Sequence, residues 1–138
     1  MTRKRALLDT NILTAFLKGR ARVVAQMEQH LDSVGRPSIS IITYYELLRG
    51  LKELGSARRL TEFEELVDHL HVRLVALRVA EMASDLYVEL RQRGQPLEDA
   101  DILIAATALA YDLVLVTDNE RHFQRIKKLK LENWLHES

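Results

Sequence analysis

The chain has no cysteine, which excludes disulfide cross-links, thiolate zinc sites and cysteine nucleophiles together. A reducing cytoplasm suits such a sequence, and a cytoplasmic location is the expectation. Only two prolines and five glycines are present, so no Pro- or Gly-rich linker divides the chain, and no repeat or low-complexity stretch is found. Apolar runs are short and interrupted, well below the ~20 residues that a membrane span needs. The start, MTRKRALLDT, is briefly basic but lacks an apolar stretch of signal-peptide length, so neither membrane nor secretion is expected. Net charge is missing too, since Lys plus Arg and Asp plus Glu number 20 each. That balance counts modestly against strong non-specific binding to nucleic acid.

What is present is an ordinary globular composition in a length that fits one domain over residues 1–138, long enough to bury a sizeable core. Short continuous apolar runs are the mark of strands covered on both faces of a parallel sheet. ALL (6–8), SIS (38–40), VRLV (72–75) and LVLV (113–116) fit that pattern, with LKLENW (129–134) a weaker fifth. Helical stretches lie between them. NILTAFLKG ends at Gly19, ARVVAQMEQHL and ITYYELLRGLKEL follow, and ARRLTEFEELVDHL spaces Leu60, Phe63, Leu66, Val67 and Leu70 for one helix face. RVAEMASDLYVELRQRG stops at Gly94 and Pro96, and ADILIAATALAY leads into the fourth strand. Alternating strands and helices predict an α/β fold with a parallel sheet.

In such sheets ligands bind outside the carboxyl ends of the strands. Asp9 directly follows ALL and Asp118 follows LVLVT, so parallel strands bring them to one edge. Glu46, early in the helix after SIS, and Asp101, in the first turn of the helix before LVLV, can converge there as well. Each acid also has a plainer reading. Asp9 or Thr10 can cap the next helix, and Asp118 can cap the one after it. Thr43 with Glu46 matches a capping box, unless Ser40 is the cap and Glu46 falls in the second turn. Glu98, Asp99 and Asp101 can all complement a helix dipole. Asp99 and Asp101 point roughly 200° apart on a helix. Asp101 shares its face with Ala105 and Ala108, which lets it sit close to the sheet, whereas Asp99 reads as N-cap or surface acid.

One shared cause is more economical than independent caps meeting at one edge. Clustered carboxylates repel unless something positive compensates, and hard oxygen ligands suit Mg²⁺ or Mn²⁺ rather than zinc. His69 and His71 read as surface or packing residues, and His122 as a solvated helix residue. The run from Arg121 to Lys130 holds Arg121, Arg125, Lys127, Lys128 and Lys130 with no acid among them, either an ordinary solvated face or a guide for a polyanion.

Taken in order, LLDTNIL, SISIITYYELLRG, DADILIAATAL, LVLVTDNERHFQRI and LKLENW resemble a PIN-domain ribonuclease of the VapC toxin type, from Ala6 to Trp134. The resemblance implies a three-layer α/β/α fold around a five-stranded parallel sheet. It implies that Asp9, Glu46, Asp101 and Asp118 are the catalytic and metal-binding acids. Asn11 and Thr117 would support them, and Arg121, Arg125, Lys127 and Lys128 would contact RNA. It further implies a divalent cation, Mg²⁺ or Mn²⁺, and an RNA substrate, with transfer RNA favoured. Restraint by a VapB-type antitoxin, whose arginine or lysine enters the acidic groove, and homodimers also follow. Apolar surface on ITYYELLRGLKEL and RLTEFEELVDHL could make those contacts through Tyr44, Tyr45 or Phe63, core packing being the better reading of Phe63.

Other classes remain. A free-standing nuclease without antitoxin would carry the same acids. A phosphoaspartyl phosphotransfer domain wants a second acid two residues after the first, and Asp9-Thr10-Asn11 lacks it. In a non-catalytic binding module the acids would be caps only.

Overall fold

Strands form where the chain is covered on both faces, and they stay short because each helix begins almost at once. In a computed structural model that describes residues 4–136, β1 (Ala6–Leu8), β2 (Ser38–Ser40) and β4 (Val114–Val116) are buried throughout. The edge strands β3 (His71–Arg73) and β5 (Leu131–Glu132) are partly exposed. The first three residues of the basic start and the last two of the expected 1–138 domain lie outside the described residues. The sheet runs β3-β2-β1-β4-β5 and every pairing is parallel. β3 is shorter than the VRLV expectation because β2 offers only Ser38–Ser40 as partner before turning helical. The fifth strand contracts to Leu131–Glu132, its Asn133 side chain accepting from the Leu135 N–H as the chain turns away.

Helices α1 (Thr10–Leu17), α2 (Ala21–Ser33), α3 (Ile41–Leu54) and α4 (Ala57–Val67) cover one face. Helices α5 (Leu77–Gln92), α6 (Asp99–Ala110) and the short α7 (Glu120–Phe123) cover the other. The period of two along a strand divides the core accordingly. Ala6, Leu8, Ile39 and Val116 pack with Leu13, Val23 and Phe63, while Leu7 and Leu115 pack with Leu90, Ile104 and Phe123. This is the three-layer arrangement expected. Helix α6 is buried nearly all round, from Ile102 to Ala108, because it lies between the sheet and α5. Gly19 and Gly94 end α1 and α5 with φ of 74° and 69°, a left-handed conformation that suits glycine.

His30 ties α2 to the sheet. Its Nε2 accepts the Ala6 N–H (3.1 Å), its Nδ1–H donates to the Gly35 carbonyl (2.7 Å), and its ring leans on Trp134. An N–H facing Nε2 fixes the neutral tautomer with its proton on Nδ1. Among the described residues no helix is long and apolar enough to cross a membrane.

Candidate active site

The β1–β4 register sets the first part of the site. Leu8 lies opposite Val116, and the Asp9 N–H donates to the Val116 carbonyl (2.9 Å), so Asp9 and Thr117 leave the sheet side by side. Asp9 is buried and stands at the N-cap of α1, its Oδ1 accepting the Thr10 N–H (2.9 Å). Its Oδ2 accepts the Thr117 hydroxyl (2.7 Å) and, more weakly, the Asn11 amide (3.4 Å). Asn11 reaches the other way as well, its Oδ1 accepting the Asp118 N–H (3.1 Å). Both supporting residues expected from the sequence thus touch Asp9.

Glu46 is not half of a capping box. Ser40 caps α3 through the Ile42 N–H (3.1 Å), so the helix starts earlier than Thr43 and Glu46 falls in its second turn. There Glu46 accepts the Thr10 hydroxyl (2.9 Å), which binds α3 to α1. Asp101 stands in the first turn of α6 above Ala105 and Ala108, both fully buried. Asp99 is exposed one position inside the helix, with Glu98 at the N-cap, so of its two expected readings the surface acid holds and the cap does not. Asp118 does not cap α7, whose N-cap is Asn119. Its carboxylate accepts from Asn133 (3.1 Å) and lies 3.5 Å from His136.

Asp9, Glu46, Asp101 and Asp118 line one cavity of 540 Å³ at the carboxyl edge. Burial pushes the Asp9 carboxyl above its usual range, and the charge of Glu46 adds to this, while hydrogen bonds from Thr117, Thr10 and Asn11 pull the other way. Burial likewise raises Asp101, and the charges of Asp9, Glu46 and Glu98 push in the same direction against the pull of His122. None of the ion pairs among the described residues involves Asp9, Glu46 or Asp101. These three acids therefore crowd negative charge into the cavity in hard oxygen donors, with no ion pair of their own among the described residues.

That donor chemistry fits a divalent cation of the magnesium class. No three Asp, Glu or His side chains among the described residues close into a finished cage. A complete cage is not what such an ion needs, since Mg²⁺ is commonly held by one or two carboxylates with waters filling its octahedron.

Lys18, the C-cap of α1, and Arg20, the N-cap of α2, stand on the rim of the same cavity. Sequence reading passed over them because α1 ends at a glycine, where basic residues look like ordinary helix-terminal charge. Arg121 is exposed on α7, Lys127 and Lys128 are exposed beyond it, and Arg125 donates to the Pro96 carbonyl (2.8 Å). Lys130 does not join them, because it sits beside Lys4 and Asp112 at the amino edge of the sheet. His69 and His71 are exposed, as expected. His122 is half-buried rather than simply solvated, its Nδ1 2.8 Å from the Asn119 amide. Phe63 is core, Tyr44 packs on it, and Tyr45 is exposed.

A PIN domain matches residues 6–129, nearly the whole chain. The chain belongs to the PIN-domain family. Within it the likeness is to VapC ribonucleases. Ribonuclease VapC1 of Methanocaldococcus jannaschii is 32% identical over 126 residues, 91% of this chain and 84% of its own length. The tRNA(fMet)-specific endonuclease VapC of Salmonella typhimurium is 32% identical over 129 residues, 93% of this chain and 96% of its own. Among solved structures, DNA-bound VapBC from Salmonella typhimurium aligns with a TM-score of 0.86 at 30% identity, over 96% of this chain and 99% of that one. The VapC-type PIN domain is a nuclease fold, and the phosphoaspartyl alternative falls away. So does the binding module with caps only, since Asp9 alone of the four acids occupies a cap.

Proposed function

We propose that the chain is the toxin of a toxin–antitoxin pair: an endoribonuclease dependent on Mg²⁺ or Mn²⁺ that cleaves RNA and arrests growth. The observation that carries this reading is the carboxylate cavity, where acids from four separate parts of the chain meet and where, among the described residues, Asp9, Glu46 and Asp101 form no ion pair. Asp9 and Asp101 would hold the cation, and Glu46 and Asp118 would hold a second ion or orient water. When bound, the cation supplies positive charge to the phosphate oxygens and activates a water. The rest falls to the protein. Thr117 and Asn11 fix the Asp9 carboxylate, Thr10 fixes Glu46, and Asn133 turns Asp118 toward the cavity edge. Lys18 and Arg20 draw the phosphate backbone to the rim, which offsets the chain's lack of net charge.

Transfer RNA is the substrate class favoured, on the strength of the tRNA(fMet)-specific names of relatives from Salmonella typhimurium and Shigella flexneri, 32% and 31% identical. A VapB-type antitoxin is the proposed restraint, since solved relatives from Rickettsia felis and Haemophilus influenzae are VapBC complexes. Its arginine or lysine would enter among the carboxylates, and the toxin would form homodimers in the cytoplasm.

The test is cleavage of RNA by purified protein. Cleavage is expected with Mg²⁺ or Mn²⁺, and none with EDTA or in the Asp9→Asn and Asp101→Asn variants. Unchanged cleavage in those variants would place the activity elsewhere. Expression of wild type alone should arrest bacterial growth, and co-expression of a short upstream reading frame encoding the antitoxin should relieve it. Harmless expression of folded wild type would favour the free-standing nuclease.

A further inference from the structure

Asp101 forms part of the wall between two cavities. One is the carboxylate site. The other, of 510 Å³, lies between the end of α5 and the start of α6 and is closed by α7, with Tyr87, Leu97, His122 and Arg125 among its walls. Its size falls within the about 300–1,000 Å³ of small-ligand sites.

Three features give this second cavity a direction. Tyr87 is 41% exposed, and the Arg91 guanidinium lies 5.3 Å from its ring centroid, bracing the ring from one side. The His122 ring is fixed by the loop that carries Thr117. Asn119 donates its amide to Nδ1, and its backbone N–H donates to the Thr117 hydroxyl oxygen (2.9 Å). An amide N–H on Nδ1 leaves the proton of the neutral ring on Nε2, as a free donor. Arg125 is anchored on Pro96 and in turn borders a further hollow lined by Arg93, Arg121 and Lys127, with Gln95 and Gln124 and no acid.

Charge therefore changes sign along one continuous path, from the acids, through Asp101, past Tyr87 and His122, to a cluster of cations. A small anion would gain little in the middle, where Glu98 and Asp99 also stand. A nucleic-acid strand matches the path: one phosphate at the metal-binding acids, an uncharged base and sugar between, and the next phosphate on the cations. We propose that the Tyr87–His122 cavity binds the nucleoside flanking the scissile phosphate of a single-stranded RNA segment, and that Arg121, Arg125 and Lys127 take the adjoining phosphate. Tyr87 stacks on the base. The His122 Nε2–H and the Glu98 and Asp99 carboxylates provide one donor and several acceptors for the base edge or the 2′-hydroxyl, so this cavity selects the base beside the cut.

The inference rests on the ribonuclease reading, and its test separates the two. Short unstructured RNAs with each of the four bases beside the cut are titrated by fluorescence anisotropy in EDTA, then cleaved in Mg²⁺. Wild type is compared with Tyr87→Leu, Asp99→Asn and the pair Arg121→Gln, Lys127→Gln. Tyr87→Leu should weaken binding at least about fivefold and raise KM alike, leaving kcat within about twofold. Asp99→Asn should change the ranking of the four bases. The double variant should lower the slope of log affinity against log salt by about 0.7 for each phosphate it no longer neutralises. Wild type that cleaves while all variants match it in affinity, base ranking and salt slope overturns the cavity alone. Tyr87→Leu that changes the oligomeric state but not RNA affinity also overturns it, by placing Tyr87 at a subunit contact. Wild type that neither binds nor cleaves these RNAs overturns both readings.

Discussion

Thr117 donates its hydroxyl to Asp9 over 2.7 Å, joining two residues 108 positions apart in the chain. The same hydroxyl oxygen accepts the Asn119 N–H, so one side chain orients the first acid and the loop beyond β4 together. Thr117→Val keeps the shape and removes the hydroxyl. It should weaken Mg²⁺ or Mn²⁺ binding about 10–100-fold, as loss of an orienting partner does. It should also lower stability by about 1–3 kcal/mol, because buried polar groups lose their partner. Thr117→Ser should restore both. Metal titration calorimetry and thermal melting read the two effects separately.

Asp101 carries an unrelieved cost in the metal-free protein. Its pKa is raised by burial and by Asp9, so the folded chain binds a proton there more tightly than the unfolded chain does. Stability therefore falls as pH rises from the ordinary value of 3.8 through the raised one, and is regained as pH drops. Asp101→Asn removes the charge and should raise the Tm of metal-free protein at neutral pH, by no more than a few degrees because the side chain is only half-buried and solvent screens its charge. The advantage should shrink as pH falls through that window and close near its lower end. Added Mg²⁺ should stabilise wild type and leave Asp101→Asn unmoved. Melting curves across pH, with and without metal, check all three outcomes.

The acids should contribute unequally. Asp9 is 6% exposed and held by three donors, whereas the Asp118 side chain is 39% exposed and already engaged by Asn133. Asp9→Asn should reduce kcat/KM by about 100-fold or more, as loss of several kcal/mol of metal-borne stabilisation requires. Asp118→Asn should cost at least about tenfold less. Initial rates on one RNA, at saturating metal, rank the two.

Much of this was legible in the sequence because it depends on local signals. Continuous apolar runs marked β1, β2 and β4, and the position of an acid just after a strand marked Asp9 and Asp118. Helical spacing placed Asp101 and not Asp99 at the carboxylate cavity, although both border the cavity beside it. The start of α3 was not decided, because Ser40 and Thr43 are both good caps and only packing chooses between them. Lys18, Arg20 and the His122 tautomer were not legible. Their meaning depends on which residues from other elements stand opposite, and that is a property of the folded chain.

His30 tests the same point in the core. Its Nε2 is the acceptor for the Ala6 N–H at the start of β1. His30→Leu should lower stability by about 1–3 kcal/mol, the cost of stranding a buried donor, with little direct effect on cleavage at temperatures where the variant is folded. Chemical denaturation and a cleavage assay at low temperature distinguish the two.

The pairing of β1 with β4 also has a consequence in time. During synthesis the strand bearing Asp9 emerges first, yet Thr117 and the strand that fixes its neighbour come in the last quarter of the chain. A ribosome-bound chain lacking β4 has neither the central pair of the sheet nor the donor that orients Asp9. The site therefore cannot form until β4 has left the ribosome: a nascent chain that stops before it carries the acid without the partner that orients it.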